Sequence, residues 1–537
     1  MQRLTLTLLL FVAACADKSE YFGSTTPPAT QELRFWNAAE PRSLDPHKTG
    51  GIPEFYIITS IFESLTCYDP KTLEPIPGVA ERWEAVDGAR KWIFYLRRNA
   101  VWTDGRPVTA HDFVYAWRRA ASPQTASPYV GLMFYVKNGE QISLGELSPT
   151  ELGVIAQDDY TLVVEMQRPT AFFPKMTSHH IFAPLPSHAM DNLLANYGEK
   201  WTAVENIITN GPFKLVEHKP YDQVVVVKNP LYWDSATVQL ERIVFIHTED
   251  TATGLNLYKA GEVYTMQSGS IPLAFIKALK QKKDYVSGQL FFTYYYSINI
   301  QRKPLDDLRV RKALSMAIDR QAITDKLIGK GDIPAYSFVP PGVAGYKGYR
   351  GEGFNPERAR QLLAEAGFPN GKGFPKLTIY FNTSDAQRQI AEAVQRMWKE
   401  HLGILVDLQN EEWQTFQARW ERRDFDFSRD GWQGDYIDPN TFLDLMGADT
   451  PNNHSGWISE DYRRLLDAAN SEADETKRMD LLARAEEMLM QAQPIIPIYF
   501  YSMSYLKKPF VEGWYPNLAD VHPLKFVYIK QNWKEGS

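Results

Sequence analysis

The first half of the chain is patterned mainly as strands and turns. Residues 90–109, RKWIFYLRRNAVWTDGRPVT, alternate apolar and polar side chains and then turn at Thr103-Asp104-Gly105, as a half-buried strand before a hairpin does. A helix is predicted over Ala110 to Ala121. Residues 209–233 have the rhythm of a hairpin with its turn at Lys219-Pro220. This half is therefore predicted to be β-rich.

From about residue 292 helices and strands alternate. Asn355-Pro356 supplies an N-cap and a first-turn proline for a helix that should end at Gly367. The later predicted elements are, in order, the strand LTIYFN (377–382), a helix from Ser384-Asp385 to about Leu402, the strand GILVDLQN (403–410), a Trp-bearing helix after Glu411, and the strand DFDFS (424–428). This order predicts parallel strands joined by right-handed crossovers.

The nine residues GWQGDYIDP, 431–439, follow the last of these strands. In open α/β sheets ligands bind beyond the carboxyl ends of the strands, so this segment is a candidate site. It puts Asp435 between the rings of Trp432 and Tyr436 and beside two glycines. The acid is open to three interpretations: a catalytic acid, a structural loop residue, or the counter-charge for a cationic ligand.

The N-terminus has the pattern of a lipoprotein signal peptide. Arg3 precedes a short apolar run, Leu4 to Val12, and small residues then lead to Cys15 in the order Val-Ala-Ala-Cys. The run is too short to remain as a membrane-spanning helix. We therefore expect residues 1–14 to be removed, Cys15 to be lipidated, and the polar residues 15–31 to tether the protein to a membrane of the cell envelope. The alternative is a buried cysteine near a frayed N-terminus.

Composition narrows the class of protein. The 537 residues suffice for two or three domains, and 44% hydrophobic residues can form large cores. A net charge of -7 offers no basic surface for nucleic acid. Cys67 is the only thiol after Cys15, so no internal disulfide is expected, and its place in Leu-Thr-Cys-Tyr predicts a buried strand position.

No catalytic motif is present: the sequence has no GxSxG elbow, phosphate loop or HExxH pair. His179-His180 is the one close histidine pair, and neighbours on a strand would point to opposite faces, so neither a metal nor another cofactor is expected. Asp435 and Asp438 could form a carboxyl pair for glycoside hydrolysis, with Trp413 and Trp432 stacking on sugars. Asp438 precedes a proline, however, and could equally cap a turn.

A series of spaced motifs resembles a known family. The pattern FE-L---D---L-P-PG-AE-W, then W-F-LR---W-DG-PVTA-DFVY-W, is similar to the peptide and nickel class (family 5) of extracytoplasmic solute-binding proteins of ABC importers, and more closely to its oligopeptide-binding members. Further matches cover almost the whole mature chain: ASPQTASPY, IITNGPFKLVE, NPLYW, TYYYSIN, LDDLRVRKALSMAIDR, FNTSD, GW-GDY-DP and PIIPIYFY.

The resemblance implies an α/β fold of the type II periplasmic-binding-protein kind, with two clamping lobes and an extra β-rich lobe. The expected divisions are domain I in three parts (32–62, 190–291 and 503–537), domain II (63–189) and domain III (292–502), with crossings near TYYYSIN and PIIPIYFY. It also implies a binding protein and not an enzyme. The expected partners are short peptides and the permease subunits of an ABC importer, and we expect a monomer that meets the membrane only through its lipid.

The same resemblance assigns site residues. Asp435 matches the acid that pairs with the α-ammonium of a bound peptide. Gly431 and Gln433 match the strand against which the peptide lies extended. The other matched ligand-binding positions are Tyr129, Tyr295, Trp413 and Trp432 in pocket walls, Ile52, Asn452 and Gln387 at contact positions, and Arg429 near the ligand's carboxyl end.

The departures from the family pattern concern the ligand's carboxyl end. Positions that hold basic residues in relatives are Ile328, Gln387 and Trp420 here, so only Arg429 remains. Gly50 replaces a glutamate, and a cysteine pair of some relatives corresponds to Phe292 and Gln433. Murein tripeptides, or peptides with an altered C-terminus, are therefore an alternative ligand class. A secreted carboxylate hydrolase is the alternative from a different functional class.

Overall fold

The computed structural model describes residues 19–268, 270–447 and 453–535. Cys15, the signal segment and Asn452 lie outside these ranges. The α-helices are α1 (Ile52–Ile61), α2 (Ala110–Ala121), α3 (Gly139–Ser143), α4 (Phe173–Met176), α5 (Ser187–Tyr197), α6 (Thr251–Ala260), α7 (Leu273–Leu279), α8 (Leu308–Met316), α9 (Arg320–Ala322), α10 (Pro356–Glu365), α11 (Asp385–Leu402), α12 (Trp413–Glu421), α13 (Asn440–Leu443), α14 (Glu460–Ser471) and α15 (Glu475–Ala492).

The strands are β1 (Glu32–Trp36), β2 (Thr66–Tyr68), β3 (Pro75–Pro77), β4 (Ala80–Val86), β5 (Lys91–Leu96), β6 (Val154–Asp158), β7 (Thr161–Glu165), β8 (Phe213–Lys219), β9 (Gln223–Lys228), β10 (Arg242–Ile246), β11 (Tyr285–Ile298), β12 (Ile333–Pro334), β13 (Leu377–Asn382), β14 (Val406–Glu411), β15 (Phe427–Gln433), β16 (Ile495–Leu506), β17 (Val511–Glu512) and β18 (Tyr528–Ile529). The first half is thus a mixture of helices and strands, and the β-rich expectation missed α1, α5 and α6.

Three larger sheets organise the molecule. Their strand orders are β1-β10-β9-β8, β4-β5-β7-β6 and β12-β16-β11-β15-β13-β14. The first two lie within the segments predicted for domains I and II. The six-stranded sheet lies mainly in the segment predicted for domain III, but β11 and β16 run across the predicted boundaries at 291/292 and 502/503.

The buried side chains group in a way that separates two lobes. One continuous core joins the first two sheets, with Phe35, Phe94 and Trp117 as fully buried members. The six-stranded sheet has separate cores on its two faces, around Trp398 and around Leu482. The first core also includes Met503 and Tyr505 of β16 and Tyr436, so the separation between the two lobes is incomplete at these residues.

Local signals placed three helices of the second half, α10, α11 and α12, whereas α8, α14 and α15 were not predicted. The Asn355 side chain accepts a hydrogen bond from the Arg358 N–H at 3.0 Å and caps α10, and Gly367 beyond its end has a φ of +99°. Strand β13 pairs in parallel with both β14 and β15, as the crossover order predicted. Strand β14 begins three residues later than predicted, at Val406.

Residues 19–31 differ from the predicted tether. Ser24 donates to the Lys259 carbonyl at 2.9 Å, and the Phe22 N–H donates to the Asp284 carboxylate at 3.0 Å. Gly23 has a φ of +78°, and a Cβ there would lie 2.1 Å from the Lys259 carbonyl oxygen. This segment is therefore packed against the protein at Lys259 and Asp284, and its polar groups form hydrogen bonds there instead of belonging to a free linker.

Two other expectations are corrected or refined. His179 and His180 do not lie on a strand: their rings stack 4.2 Å apart at the start of a short helical turn. Cys67 lies in β2 and is partly buried, and burial raises the pKa of its thiol to about 11. Within the described ranges, no helix combines the length and apolar character needed to cross a bilayer.

Candidate functional site

One edge of strand β15 is free for part of its length. On one side β15 pairs with β11 from Ile298↔Phe427 to Phe292↔Gln433. On the other side it pairs with β13 only at Phe427 and Ser428. From Arg429 onward, therefore, no described strand covers the β13 side. An unpaired strand edge is a template for an added strand.

The backbone direction along this edge follows from antiparallel alternation. The Gly434 N–H donates to the Phe291 carbonyl at 2.9 Å, so every second residue before it also points toward β11. The N–H and C=O groups of Gly431 and Gln433 then point to the free edge. In agreement, the Gly431 N–H donates to the Asp430 carboxylate at 2.8 Å and not to β11.

The predicted end of the strand was wrong. DFDFS was expected to end before GWQGDYIDP, whereas β15 continues through Gly431 and Trp432 to Gln433. Glycine is poor in a strand interior, but a Cβ on Gly431 would lie 3.1 Å from the Phe292 ring. A Cβ on Gly434 would lie 2.4 Å from the Phe291 ring. Both glycines allow the backbone to pass close to aromatic side chains of β11.

Asp435 follows the end of β15 and presents an unpaired carboxylate. Its backbone N–H donates to Thr441 Oγ1 at 3.1 Å, while its side chain is exposed. Among the described residues no cation lies within ion-pair distance of it. Surrounding protein nevertheless removes part of its water shell, and this desolvation raises the pKa of the carboxyl group to about 6. A cation supplied by a ligand would replace the electrostatic stabilisation that the ionised carboxylate has lost with part of its water shell.

Asp438, three residues later, has the opposite environment. It is fully buried, and Arg478 donates to its two oxygens at 2.7 and 2.6 Å. Lys175 lies 3.5 Å away. Burial raises and the Arg478 and Lys175 charges lower the pKa of this carboxyl group, and the net shift is downward. Asp438 is therefore neutralised inside the protein, and the carboxyl pair proposed for glycoside hydrolysis is not formed.

The opposite wall comes from the first two sheets. Tyr129 donates from its hydroxyl to the Gly50 carbonyl at 3.3 Å, and its ring meets His179 edge-on at 4.5 Å. Burial, and to a smaller extent the negative charge of Asp435, raise the pKa of the Tyr129 phenol, so the two side chains interact electrostatically. Ile52 begins α1 two residues after Gly50 and is 59% exposed.

Arg429 lies at the other end of the free edge. Its guanidinium is 5.3 Å from the centre of the Tyr294 ring. With the Gln387 amide oriented to satisfy both neighbours, its nitrogen donates to the Tyr294 hydroxyl at 2.7 Å and its oxygen accepts from Arg429 Nη2 at 3.1 Å. No carboxylate of the described chain lies within ion-pair distance of Arg429. The free edge thus has an unpaired acid at one end and an unpaired base at the other.

The remaining predicted residues are dispersed. Tyr295 is 1% exposed, with its ring edge-on to Phe338 at 5.0 Å in the core, so this conformation gives a ligand no access to it. Trp432 is half-buried against the same core, and its Nε1 has no partner. Trp413 is the first residue of α12, and its side chain lies outside the described part of the structure. The assignments of these residues and of Asn452 stay predictions.

Two features of the site were missed in the sequence. Tyr501 and Tyr294 flank Arg429, and the alternation of TYYYSIN could have placed Tyr294 on the same face. Asp430, on the opposite face, contacts His454 at 2.6 Å and Ser297 at 2.9 Å. No local signal predicts this second contact set, because its members come from three distant segments.

The residues that depart from the family pattern have structural partners. The Trp420 ring stacks on His454 at 4.5 Å, and its Nε1 donates to Ser428 at 2.5 Å. Ile328 packs partly buried against the domain III core. Phe292 and Gln433 are direct cross-strand partners, as the corresponding cysteine pair of relatives would require. None of these side chains can carry a positive charge to meet a carboxylate.

Comparison with known proteins assigns the family. Residues 74–454 match the model of the bacterial extracellular solute-binding proteins, family 5. The chain belongs to this family. It is 39% identical to the periplasmic oligopeptide-binding protein OppA of Salmonella typhimurium, over 97% of this chain and 96% of that protein. Family 5 consists of solute-binding proteins, so the hydrolase alternative is excluded.

Solved structures agree in fold and indicate the conformation. The unliganded open form of the murein tripeptide binding protein MppA superposes with a TM-score of 0.86 at 36% identity, covering 94% of this chain and 98% of that one. A second structure of MppA, from Escherichia coli, gives 0.71 at the same identity, with 94% and 99% covered. The backbone of this chain is thus more similar to the unliganded open form than to the second structure.

Proposed function

We propose that the protein is an extracytoplasmic receptor that binds short peptides in extended conformation and delivers them to an ABC importer. The carrying observation is Asp435: an ionisable acid without a cationic partner at the end of an unpaired strand edge. A peptide supplies what both features lack, an ammonium group and a row of backbone donors and acceptors.

Binding at this edge would depend little on the peptide's side chains. The Gln433 N–H and the C=O groups of Gly431 and Gln433 are available to every added strand, so the same hydrogen bonds form with any sequence. The ammonium of the ligand then makes a charge-assisted contact with Asp435, worth roughly 1.5–3 kcal/mol. Closure would bring Tyr129 and Ile52 over the bound chain.

The positions of the two unpaired charges favour short ligands. Asp435 and Arg429 are six residues apart, which corresponds to at most about 20 Å along an extended chain. A peptide of three or four residues spans roughly 10–14 Å, and the two side chains cover the difference. The second candidate ligand class is a murein tripeptide, favoured by the absence of further cations at Ile328, Gln387 and Trp420 and by the similarity to MppA.

Localisation in the cell envelope is part of the proposal. The order Val12-Ala13-Ala14-Cys15 supports removal of residues 1–14 and acylation of Cys15 in an otherwise soluble, monomeric receptor. Mass spectrometry of the mature N-terminus tests this directly. A Cys15→Ala chain that still fractionates with membranes would contradict the lipid anchor.

The central experiment identifies the ligand and its charge requirement. Native mass spectrometry of gently purified protein shows what co-purifies, and a receptor returns that ligand unchanged. Calorimetric titration with one tripeptide and its N-acetyl form then tests the ammonium contact. Equal binding of the two forms would contradict the role proposed for Asp435.

A further inference from the structure

The chain emerges from domain I at a point close to the predicted lipid. Ser19 is held by Lys282, whose Nζ donates to the Ser19 carbonyl at 2.6 Å, and the Lys283 N–H donates to the Glu20 carbonyl at 2.8 Å. Only residues 16–18 separate Ser19 from Cys15. Four residue-to-residue steps span at most about 14 Å. A lipid on Cys15 would therefore hold this side of domain I against the membrane surface.

The segment 19–24 is held against the rest of the protein at several further points. Lys508 Nζ donates to the Phe22 carbonyl at 3.0 Å, and the rings of Tyr21 and Trp533 meet edge-on at 5.5 Å. The close approach of Gly23 to the Lys259 carbonyl adds a steric requirement for glycine. Together these contacts give the exit point a fixed position on domain I, so the orientation of the body relative to a lipid is also restricted.

The surface around the exit point is basic, although the chain as a whole has a charge of -7. We call the segments 19–20, 273–284 and 530–535 the exit face. They contain six lysines against three acids, a formal charge of +3. The lysines are Lys277, Lys280, Lys282, Lys283, Lys530 and Lys534. One of the acids, Asp284, is buried and bonded to Phe22.

Contacts join these segments into one surface. Lys283 forms an ion pair with Glu20, and Glu535 also acts electrostatically on Lys283. Phe275, in α7 beside Lys277, is 46% exposed. Exposed lysines and an exposed aromatic side chain on the same helix suit a surface of anionic lipid headgroups, where the ring enters the interface and the ammonium groups meet phosphates.

We propose that the exit face binds anionic phospholipid headgroups and so sets the orientation of the lipid-anchored receptor on its membrane. This inference rests on the proposed acylation of Cys15 for its position, and on the charge and exposure of the exit face for its ligand. A lipid anchor leaves the protein free to turn on the membrane, and a basic surface adds an electrostatic attraction to anionic lipid on one side of the body.

The test uses the mature chain without acylation, so that the face acts alone. Flotation with phosphatidylcholine vesicles, with and without phosphatidylglycerol, measures lipid binding. The variant Lys277→Glu/Lys280→Glu/Lys283→Glu should lower binding to the anionic vesicles about a hundredfold, since each lysine near such a surface contributes about fivefold. Added salt should weaken wild-type binding because it screens the charges.

A matched variant controls for net charge. Lys214→Glu/Lys219→Glu/Lys228→Glu makes the same charge change on β8 and β9, at the sheet edge opposite to β1. It should retain wild-type vesicle binding, and both variants should bind peptide like wild type, which confirms their folds. Equal losses in the two variants would overturn the proposal, because general repulsion would then explain them.

Two other outcomes also decide the matter. Wild-type protein that shows no preference for phosphatidylglycerol contradicts a headgroup site. If the exit-face variant binds vesicles normally but fails in peptide uptake, the face meets the permease and the lipid proposal is wrong. An unacylated Cys15, found by mass spectrometry, refutes the anchor alone, since the vesicle assay does not depend on it.

Discussion

Asp435 and Asp438 lie three residues apart on one loop and have opposite electrostatic environments. The Asp435 carboxylate is exposed and has no cationic partner in the part of the chain that the structure describes, and desolvation raises its pKa to about 6. Asp438 is buried against Arg478 and Lys175, and its pKa is lowered. The difference shows that the role of a charged residue in such a segment depends on its partners in space and not on its neighbours in sequence. Asp438 stabilises the fold, and the carboxylate of Asp435 is available to a ligand.

The largest effect is expected from Asp438→Asn on stability. Removing one member of the buried ion pair leaves Arg478 with only the more distant Glu475 carboxylate, at 3.5 Å, and should cost about 3–5 kcal/mol of unfolding free energy. Thermal and urea unfolding measure it, with Asp435→Asn as the matched control. Because folding lowers the pKa of Asp438, its contribution is present above the unfolded-state pKa and is lost as pH falls through the folded-state value. A stable Asp438→Asn protein would contradict the structural role.

The next largest effect is expected from Asp435→Asn on affinity. The substitution keeps the shape of the side chain and removes the charge that we assign to the ligand's ammonium. Peptide affinity should fall by roughly 1.5–3 kcal/mol, a factor of about ten to more than a hundred, while thermal stability is retained. N-acetylation of the peptide should weaken wild-type binding and have little further effect in the variant. Additive losses in calorimetry would show that the two groups do not meet.

The pKa of Asp435 predicts a pH dependence of about tenfold. The acid must be ionised to bind an ammonium group, so affinity should be constant well above pH 6 and fall about tenfold for each unit below it. The sign follows because the bound form, paired with a cation, has a lower pKa than the free form. Titrations between about pH 5 and 8 measure it. The same profile in Asp435→Asn would assign the dependence to another group.

The sequence was sufficient for α2, α10, α11 and α12 and for the parallel part of the six-stranded sheet, because caps, glycines and apolar periods are local. Asn355 and Gly367 show this for α10. The assignment of Asp435 to a ligand site, made from its position after a strand and from the family resemblance, stays a prediction. The strand end at Gln433 was missed, since glycines normally interrupt strands and only packing against Phe291 and Phe292 explains them. Likewise the burial of Tyr295 and the Asp438–Arg478 pair depend on distant segments.

The smallest predicted effect concerns Arg429 at the far end of the cleft. Unlike Asp435, this residue already has neighbours, the Tyr294 ring and the Gln387 amide, so a ligand carboxylate replaces part of an existing contact set. Amidating the peptide's C-terminus should therefore cost only about 1 kcal/mol, a factor of about five, in wild type. In Arg429→Ala the free and amidated peptides should bind alike. Gln387→Ala is the matched control, because it removes a neighbour of Arg429 and leaves the charge.

If amidation weakens binding equally in wild type and Arg429→Ala, the carboxylate of the peptide contacts a different residue. Arg429 would then have a structural role like that of Arg478, and the site would bind only the amino end of the peptide through a charge.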